Sequence, residues 1–354
     1  MRPTVHDIAD RAGVSLATVD RVLNDRPGVR SVTRAKVEAA IAALGYVRDV
    51  AAANLAKSRV YPLFFIIPEG ENPFMRSLEA ELRSASLRSA ADRTSISVVT
   101  VPAFDATALA AAIDGAAGNG AAGIAAVAVD APEVAEAIVR ARAAGVPFVT
   151  LVSDIATSGR DHFVGVDNIA AGRTAGSLMT HFLGPRPGPV AVLAGSMRVR
   201  DHRERLEGFS AAIQEGAVER VVLPVLEGQD DPRHSQALIS QCLAGTPDLA
   251  GIYSLGAGNS GLVTALALGG NDGIRVIAHE LTVHTRSALE NGIIDAVLNQ
   301  DAGHEVRSAI RVLRAKADGL PVVAAQERIR IDIFIKENLP PAPEGEEAPA
   351  TGEH

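Results

Sequence analysis

The chain has 354 residues, 47% of them hydrophobic and only 3% aromatic, a formal charge of −8 and one cysteine, Cys242. That length and apolar content support two or more packed domains, a single cysteine excludes an internal disulfide, and the longest apolar run, YPLFFIIP at 61–68, falls short of the roughly 20 residues of a membrane-spanning helix. Residues 1–60 carry ten Lys or Arg against six Asp or Glu, a net of +4, which leaves −12 on the remaining 294, so a basic nucleic-acid-binding head on an acidic body is expected.

The head reads as three short helices. Thr4 can cap the first, with Asp7 completing a capping-box-like pair; Val5, Ile8, Ala9 and Ala12 form its apolar stripe and Gly13 stops it. Ser15 caps a second helix that turns Val19, Val22 and Leu23 inward, and the AGVS link places glycine where a helix-turn-helix requires it. A third helix starts near Ser31 or Thr33, buries Val37, Ala40, Ile41 and Leu44, and ends at Gly45.

This run, TVHDIADRAGVSLATVDRVLNDRPGVRSVTRAKVEAAIAALGYVRD, resembles the DNA-binding head of the LacI/GalR family of bacterial transcription regulators almost continuously over residues 4–46. The resemblance implies that Leu16, Ala17 and Arg21 reach base edges in the major groove, with Ser15, Thr18 and Asn24 placed for phosphate or backbone contacts. Arg21 suits a guanine; Leu16 and Ala17 offer apolar contact such as a thymine methyl. Asp20 stands where the family commonly has a small polar residue, and it needs Arg21 or Arg30 to neutralise it, or a cytosine amine to accept from. Residues 47–60, VRDVAAANLAKSRV, resemble the family's hinge helix, which folds on operator DNA. Leu55 is the matching minor-groove wedge, despite Arg48 and Ala53 where proline and a basic residue are usual. Two wedges imply a homodimer on near-palindromic double-stranded operator DNA, with a tetramer as the other assembly the family allows.

The body, 61–338, alternates apolar strands with amphipathic helices: LFFII, ISVVTV, GIAAVAV, PFVTL, HFVGV, VAVLAG, RVVLPV, LAGIYSL, IRVIAH and IIDAVL. The fold class is therefore an α-helical helix-turn-helix head (1–46) plus an α/β body with parallel sheets. The division near 162–167 suggests two lobes, about 61–165 and about 166–299, with late crossovers returning to both and a ligand cleft at the carboxyl ends of the strands. Residues 339–354, rich in Pro and Glu, are expected to be a disordered tail.

The body resembles the periplasmic sugar-binding proteins of the ribose type, a two-lobed periplasmic-binding-protein-like fold. NPFM at Asn72–Met75 is similar to their NPFF motif, VGVDNIAAGRTAG to their second-lobe opening, and RERLEGF at Arg203–Phe209 to the run whose second arginine, here Arg205, donates to a ligand. The effector contacts it implies are Asn72, Phe74, Asp154, Asp167, Arg205, Leu255, Glu280 and Gln300. Leu255 replaces a usual Asn-Asp pair, and Asp154 is displaced by about two residues from the family's acid. So few aromatic residues favour a sugar, polyol or sugar acid over a purine.

A competing reading comes from Gly256-Ala257-Gly258-Asn259-Ser260-Gly261, a G-x-G-x-x-G run followed by a helical pattern, a strand and Glu280. It has the form of a dinucleotide fingerprint and would make the chain a Rossmann-type NAD-dependent enzyme. It begins late, however, with few strands after it. No G-x-S-x-G, H-E-x-x-H or Cys/His cluster accompanies it, so no catalytic residue, cofactor or metal is expected. The start MRPTVHDIADRAG lacks the apolar core of an export signal, from which a cytoplasmic location away from membranes is expected. Cys242 reads as a buried thiol on the apolar face of its helix.

Overall fold

The computed structural model describes residues 3–46, 60–70, 72–89, 93–155, 159–256, 258–269 and 273–341. They form two units, Met1–Arg59 and Val60–His354.

In the first unit, α1 (Val5–Ala12), α2 (Leu16–Leu23) and α3 (Ser31–Leu44) enclose a small core of Ile8, Ala9, Val19, Val22, Val37 and Ala40. The ends are set locally. The Thr4 backbone N–H donates to the Asp7 carboxylate at 2.7 Å, Ser15 Oγ accepts from the Thr18 N–H, and Gly13 and Gly45 close α1 and α3 at φ of 64° and 58°.

The second unit has two sheets. The first, ordered β2-β1-β3-β4-β5, comprises β1 (Tyr61–Pro68), β2 (Thr94–Val101), β3 (Gly123–Ala126), β4 (Phe148–Leu151) and β5 (His162–Val164), all parallel. Both faces are covered, by α4 (Pro73–Ser89) on one side and by α5 (Ala106–Gly118) and α6 (Pro132–Ala143) on the other. This is why its strands read as continuous apolar runs instead of alternating ones.

The second sheet, ordered β11-β10-β9-β8-β6-β7, comprises β6 (Val190–Ala194), β7 (Leu226–Glu227), β8 (Gly251–Ser254), β9 (Arg275–His279), β10 (Ala296–Asn299) and β11 (Asp332–Phe334). Around it lie α7 (Asn168–Leu183), α8 (Arg200–Gln214), α9 (Pro232–Gly245), α10 (Asn259–Gly269) and α11 (Val283–Glu290). Cys242 sits half-buried at the edge of this lobe's core, and burial pushes its thiol up.

The chain passes between lobes after β5, after β10 and again before β11. The helix following β10, α12 (Ala302–Ala317), packs Val306, Ala309, Val312 and Leu313 into the first lobe's core, and Tyr61 Oη donates to the Asp318 carboxylate at 2.8 Å just beyond it. β11 then returns to the second sheet as its one antiparallel strand among the described residues.

Three expectations need correction. RVVLPV is not a strand: it contributes only a bridge from Val222 to Val190, and the ladder resumes at β7, because Pro224 has no N–H to give it. β11 is absent from the strand pattern above, since it is too short and too exposed to show apolar alternation. The ordered body also extends past 338: Leu339 packs on the second lobe and Arg286 donates to the Pro340 carbonyl at 2.7 Å. The rest of the expected tail, 342–354, lies outside the described residues.

Candidate ligand cleft and nucleic-acid face

The loops leaving the carboxyl ends of both sheets meet between the lobes. Five of the seven described non-glycine residues with positive φ are in these loops: Phe104 (61°), Val152 (64°), Gln229 (54°), Asp230 (59°) and Glu280 (70°). Each such residue stores about 1–3 kcal/mol of strain, which persists only where the surroundings hold it.

Arg205 is placed by two helices whose backbones touch. A Cβ on Gly172 of α7 would lie 2.0 Å from the Arg205 carbonyl oxygen, and one on Gly208 of α8 would lie 2.1 Å from that of Ile169, so only glycine permits the approach. The guanidinium is thereby pressed against Asn168, with Nε donating to Oδ1 at 2.9 Å and Nη1 to the Leu255 carbonyl at 2.6 Å. Glu280 Oε1 stands 3.7 Å from the same Nη1 and accepts from Gln300 Nε2 at 2.9 Å. Burial pushes the Glu280 carboxyl up to about 7, outweighing the opposing pull of Arg205. Burial, reinforced by the Glu280 charge, holds Glu305 well above the usual carboxylate range. His279, bonded to Tyr253 Oη at 2.7 Å, is held far below the usual imidazole range by burial and is neutral.

Two cavities lie in the cleft. The larger has an apolar wall from the first lobe, including Val101, Phe104, Val127 and Val152, facing Asp201, His202 and Asp230 of the second. The smaller lies between Phe74, Gly256, Asn259 and Glu280. Asn72 and Asp230 bound both. Asn72 Oδ1 accepts from the N–H groups of Phe74 and Met75, starting α4, while its Nδ2 donates across the cleft to Asp230 Oδ2 at 3.1 Å. Arg203 of α8 also bridges the lobes, to Asp130.

Around these cavities, Arg205 Nη2, Glu280 Oε2, Gln300 Oε1, Asp201 Oδ1, Asp230 Oδ1 and Ser153 Oγ are buried without a hydrogen-bond partner. Buried polar groups are ordinarily satisfied, so this concentration marks a place built for a polar guest.

Of the residues named from sequence, Asn72, Phe74 and Glu280 line the smaller cavity, and Arg205 and Gln300 bond to or face Glu280. Leu255 offers only its carbonyl, its side chain being wholly in the core. Asp154 is engaged by Arg160 and by Thr150 Oγ1 at 2.6 Å, and its neighbour Ser153 is the one that lines the larger cavity. Asp167 is exposed and caps α7, accepting from the Ala170 N–H at 2.9 Å. Asn168, Asp201 and Asp230 were not singled out as ligand contacts; the signal available for Asp201 was its position at the head of RERLEGF.

The G-x-G-x-x-G run is accounted for by crowding. A Cβ on Gly256 would lie 2.9 Å from Arg205 Nη1, and one on Gly261 would lie 2.1 Å from the Pro232 carbonyl oxygen, where α9 and α10 meet. The approach a pyrophosphate would use is filled by a side chain and a neighbouring helix.

On the head, Leu16, Ala17, Asp20 and Arg21 are exposed along α2, with Thr18 and Asn24 half-exposed and Ser15 as its cap. Asp20 is neutralised by neither Arg21 nor Arg30: Arg26 lies 3.4 Å from its carboxylate and Asn24 Nδ2 donates to it at 2.7 Å. Leu55 lies outside the described residues.

Residues 63–321 match the family described as periplasmic binding protein domain, and residues 4–49 match bacterial regulatory proteins, lacI family. An HTH-type transcriptional regulator MalR of Streptomyces coelicolor is 32% identical over 215 residues, 61% of this chain and 60% of that one, so the match spans less than two thirds of the relative's length. The ribose operon repressor of Bacillus subtilis is 41% identical over 75 residues, 21% of this chain and 23% of its own. A solute binding protein of Burkholderia graminis, solved in complex with D-arabinose, superposes with a TM-score of 0.71 over 79% of this chain and 96% of that one at 21% identity, a likeness of fold. These relatives are regulators and binding proteins; none of them supports a nucleotide-dependent enzyme. No described helix is long and apolar enough to cross a membrane.

Proposed function

The chain belongs to the periplasmic binding protein domain family and carries a lacI-family head, and from that premise we propose that it is a sequence-specific DNA-binding transcription regulator, a repressor, controlled by a small hydroxylated effector held between its lobes. The observation that carries the proposal is the cluster of unsatisfied buried donors and acceptors between the lobes of a chain whose head presents an exposed recognition-type helix, α2. Leu16, Ala17 and Arg21 read bases in this scheme, and Ser15, Thr18 and Asn24 hold the backbone. Arg205, Glu280, Gln300 and Asn72 hold the effector.

A near-palindromic operator bound by a homodimer in the cytoplasm, with Leu55 as wedge, completes the reading. Effector binding alters lobe geometry, and lobe geometry alters operator affinity, so by linkage operator must change effector affinity by the same factor. The test is selection of duplexes from a random pool by the full-length protein, followed by gel shifts with and without candidate carbohydrates. Failure to enrich any sequence would overturn the regulator; an enriched operator indifferent to every carbohydrate that binds the protein would overturn the coupling.

A further inference from the structure

The larger cavity has a charge composition that a neutral sugar does not explain. Among its described lining residues are four carboxylates, Glu69, Asp105, Asp201 and Asp230, and no lysine or arginine. Asp105 is occupied in capping α5, accepting from the Ala108 N–H at 2.9 Å, and Glu69 is exposed. Asp201 and Asp230 are different. Asp201 is only 7% exposed, and each residue keeps one carboxylate oxygen, Oδ1, buried and unpartnered.

Among the described residues no arginine or lysine pairs with these two carboxylates. His202 is held through Nδ1 by the Ser196 carbonyl at 2.8 Å, and its Nε2 is 3.8 Å from Asp201 Oδ2, beyond hydrogen-bonding distance. Asp230 has only the neutral amide of Asn72. Arg203 and Arg200 are spent on Asp130 and Glu204. Burial pushes the Asp230 carboxyl up, against the opposing pull of its Asn72 hydrogen bond and of His202.

We propose that the effector is a hydroxylated amine, such as an amino sugar or amino polyol, whose ammonium nitrogen sits between Asp201 and Asp230 while its hydroxyls turn toward Arg205 and Glu280. Hydroxyls alone could fill the lone pairs on Asp201 and Asp230, but they would leave the charge of the pair uncompensated. An ammonium does both tasks, because its N–H groups donate and its charge compensates. A metal ion does not fit, since among the described residues no three carboxylate, imidazole or thiol groups converge closely enough to hold one. The apolar wall of Val101, Phe104 and Val127 packs the carbon skeleton.

This proposal rests on the reading of the cleft as the effector site, and matched pairs separate the two. Calorimetric titration of the full-length protein would compare D-glucosamine with D-glucose, D-galactosamine with D-galactose and D-mannosamine with D-mannose. Serinol against glycerol gives a pair indifferent to ring stereochemistry. The expected result is an amine preference of about tenfold or more in at least one pair, reduced to about threefold or less in Asp201→Asn and Asp230→Asn, with thermal melting to verify that each variant is folded. Neutral members binding as tightly as their amines would overturn the amine while leaving the cleft standing, as would an amine preference untouched in both folded variants. If no member of any pair bound, both readings would fall.

Discussion

Asn72 and Asp230 belong to different lobes and meet at 3.1 Å, so one hydrogen bond joins the lobes, and its two residues border both chambers of the cleft. The oxygen of the Asn72 amide is committed to the start of α4, which fixes its nitrogen donor toward the second lobe.

Replacing that donor with a carboxylate keeps the cap and destroys the bridge. Asn72→Asp is expected to weaken effector binding by about tenfold or more at pH 7.5, since two carboxylates in that geometry repel. Because burial already favours the protonated Asp230 carboxyl, the gap between variant and wild type should narrow at about pH 5, where two facing carboxyls more readily share a proton. Titrations of wild type and variant at both pH values decide the matter; equal loss at each would show that the bridge contributes nothing to closure.

The touching backbones of α7 and α8 make a second expectation. Gly172→Ala puts a methyl where the Arg205 carbonyl stands, and the helices must separate. A destabilisation of about 2–4 kcal/mol is expected in urea unfolding, together with loss of effector binding, because Asn168 no longer reaches Arg205. A change below about 0.5 kcal/mol would mean that the helices part freely there.

Glu280 carries a pH signature with a definite sign. Its folded-state carboxyl titrates at about 7 against an ordinary 4.5, for reasons of burial, so the folded chain binds the proton more tightly than the unfolded one. Stability is therefore full below about pH 4.5 and falls as pH rises toward 7, by about 3 kcal/mol in all from this group. Glu280→Gln should flatten the stability curve by about that amount between pH 5 and 8. Identical curves would place the proton elsewhere, Glu305 being the next candidate.

On the head, Asp20 holds Arg26 and Asn24. Asp20→Asn releases a cation on a face proposed to meet phosphates. Affinity for unrelated duplex DNA should rise severalfold, with the log–log salt slope steeper by about one. Fluorescence anisotropy across a salt series measures both, and an unchanged slope would take Asp20 off the DNA face.

What could be read beforehand was local chemistry. Thr4 with Asp7, Ser15, Gly13 and Gly45 fixed the head's helix ends because each cap is completed within a few residues of itself. The covered strands were visible as unbroken apolar runs. RVVLPV failed for a reason present in its own letters, the proline, whereas β11 failed because three exposed edge residues carry no period. In the cleft, Arg205, Glu280 and Gln300 came from the family likeness. Asp201 had a signal there, at the head of RERLEGF, but Asp230 could not be found that way, since only the fold brings the loop after β7 to Asn72 of the other lobe. Asp154 misled because an acid after a strand end looks the same whether it faces a ligand or, as here, Arg160.

The left-handed residues at the rim, Phe104, Val152, Gln229, Asp230 and Glu280, have a bearing on the protein's future as an engineering scaffold. Glycine would relax every one of them, so a screen that rewards heat resistance alone will drift toward glycine at these positions. Asp230 and Glu280 are also the side chains that face a guest. Robustness and discrimination thus compete for the same codons, and a variant toughened by such a screen should emerge steadfast and blind.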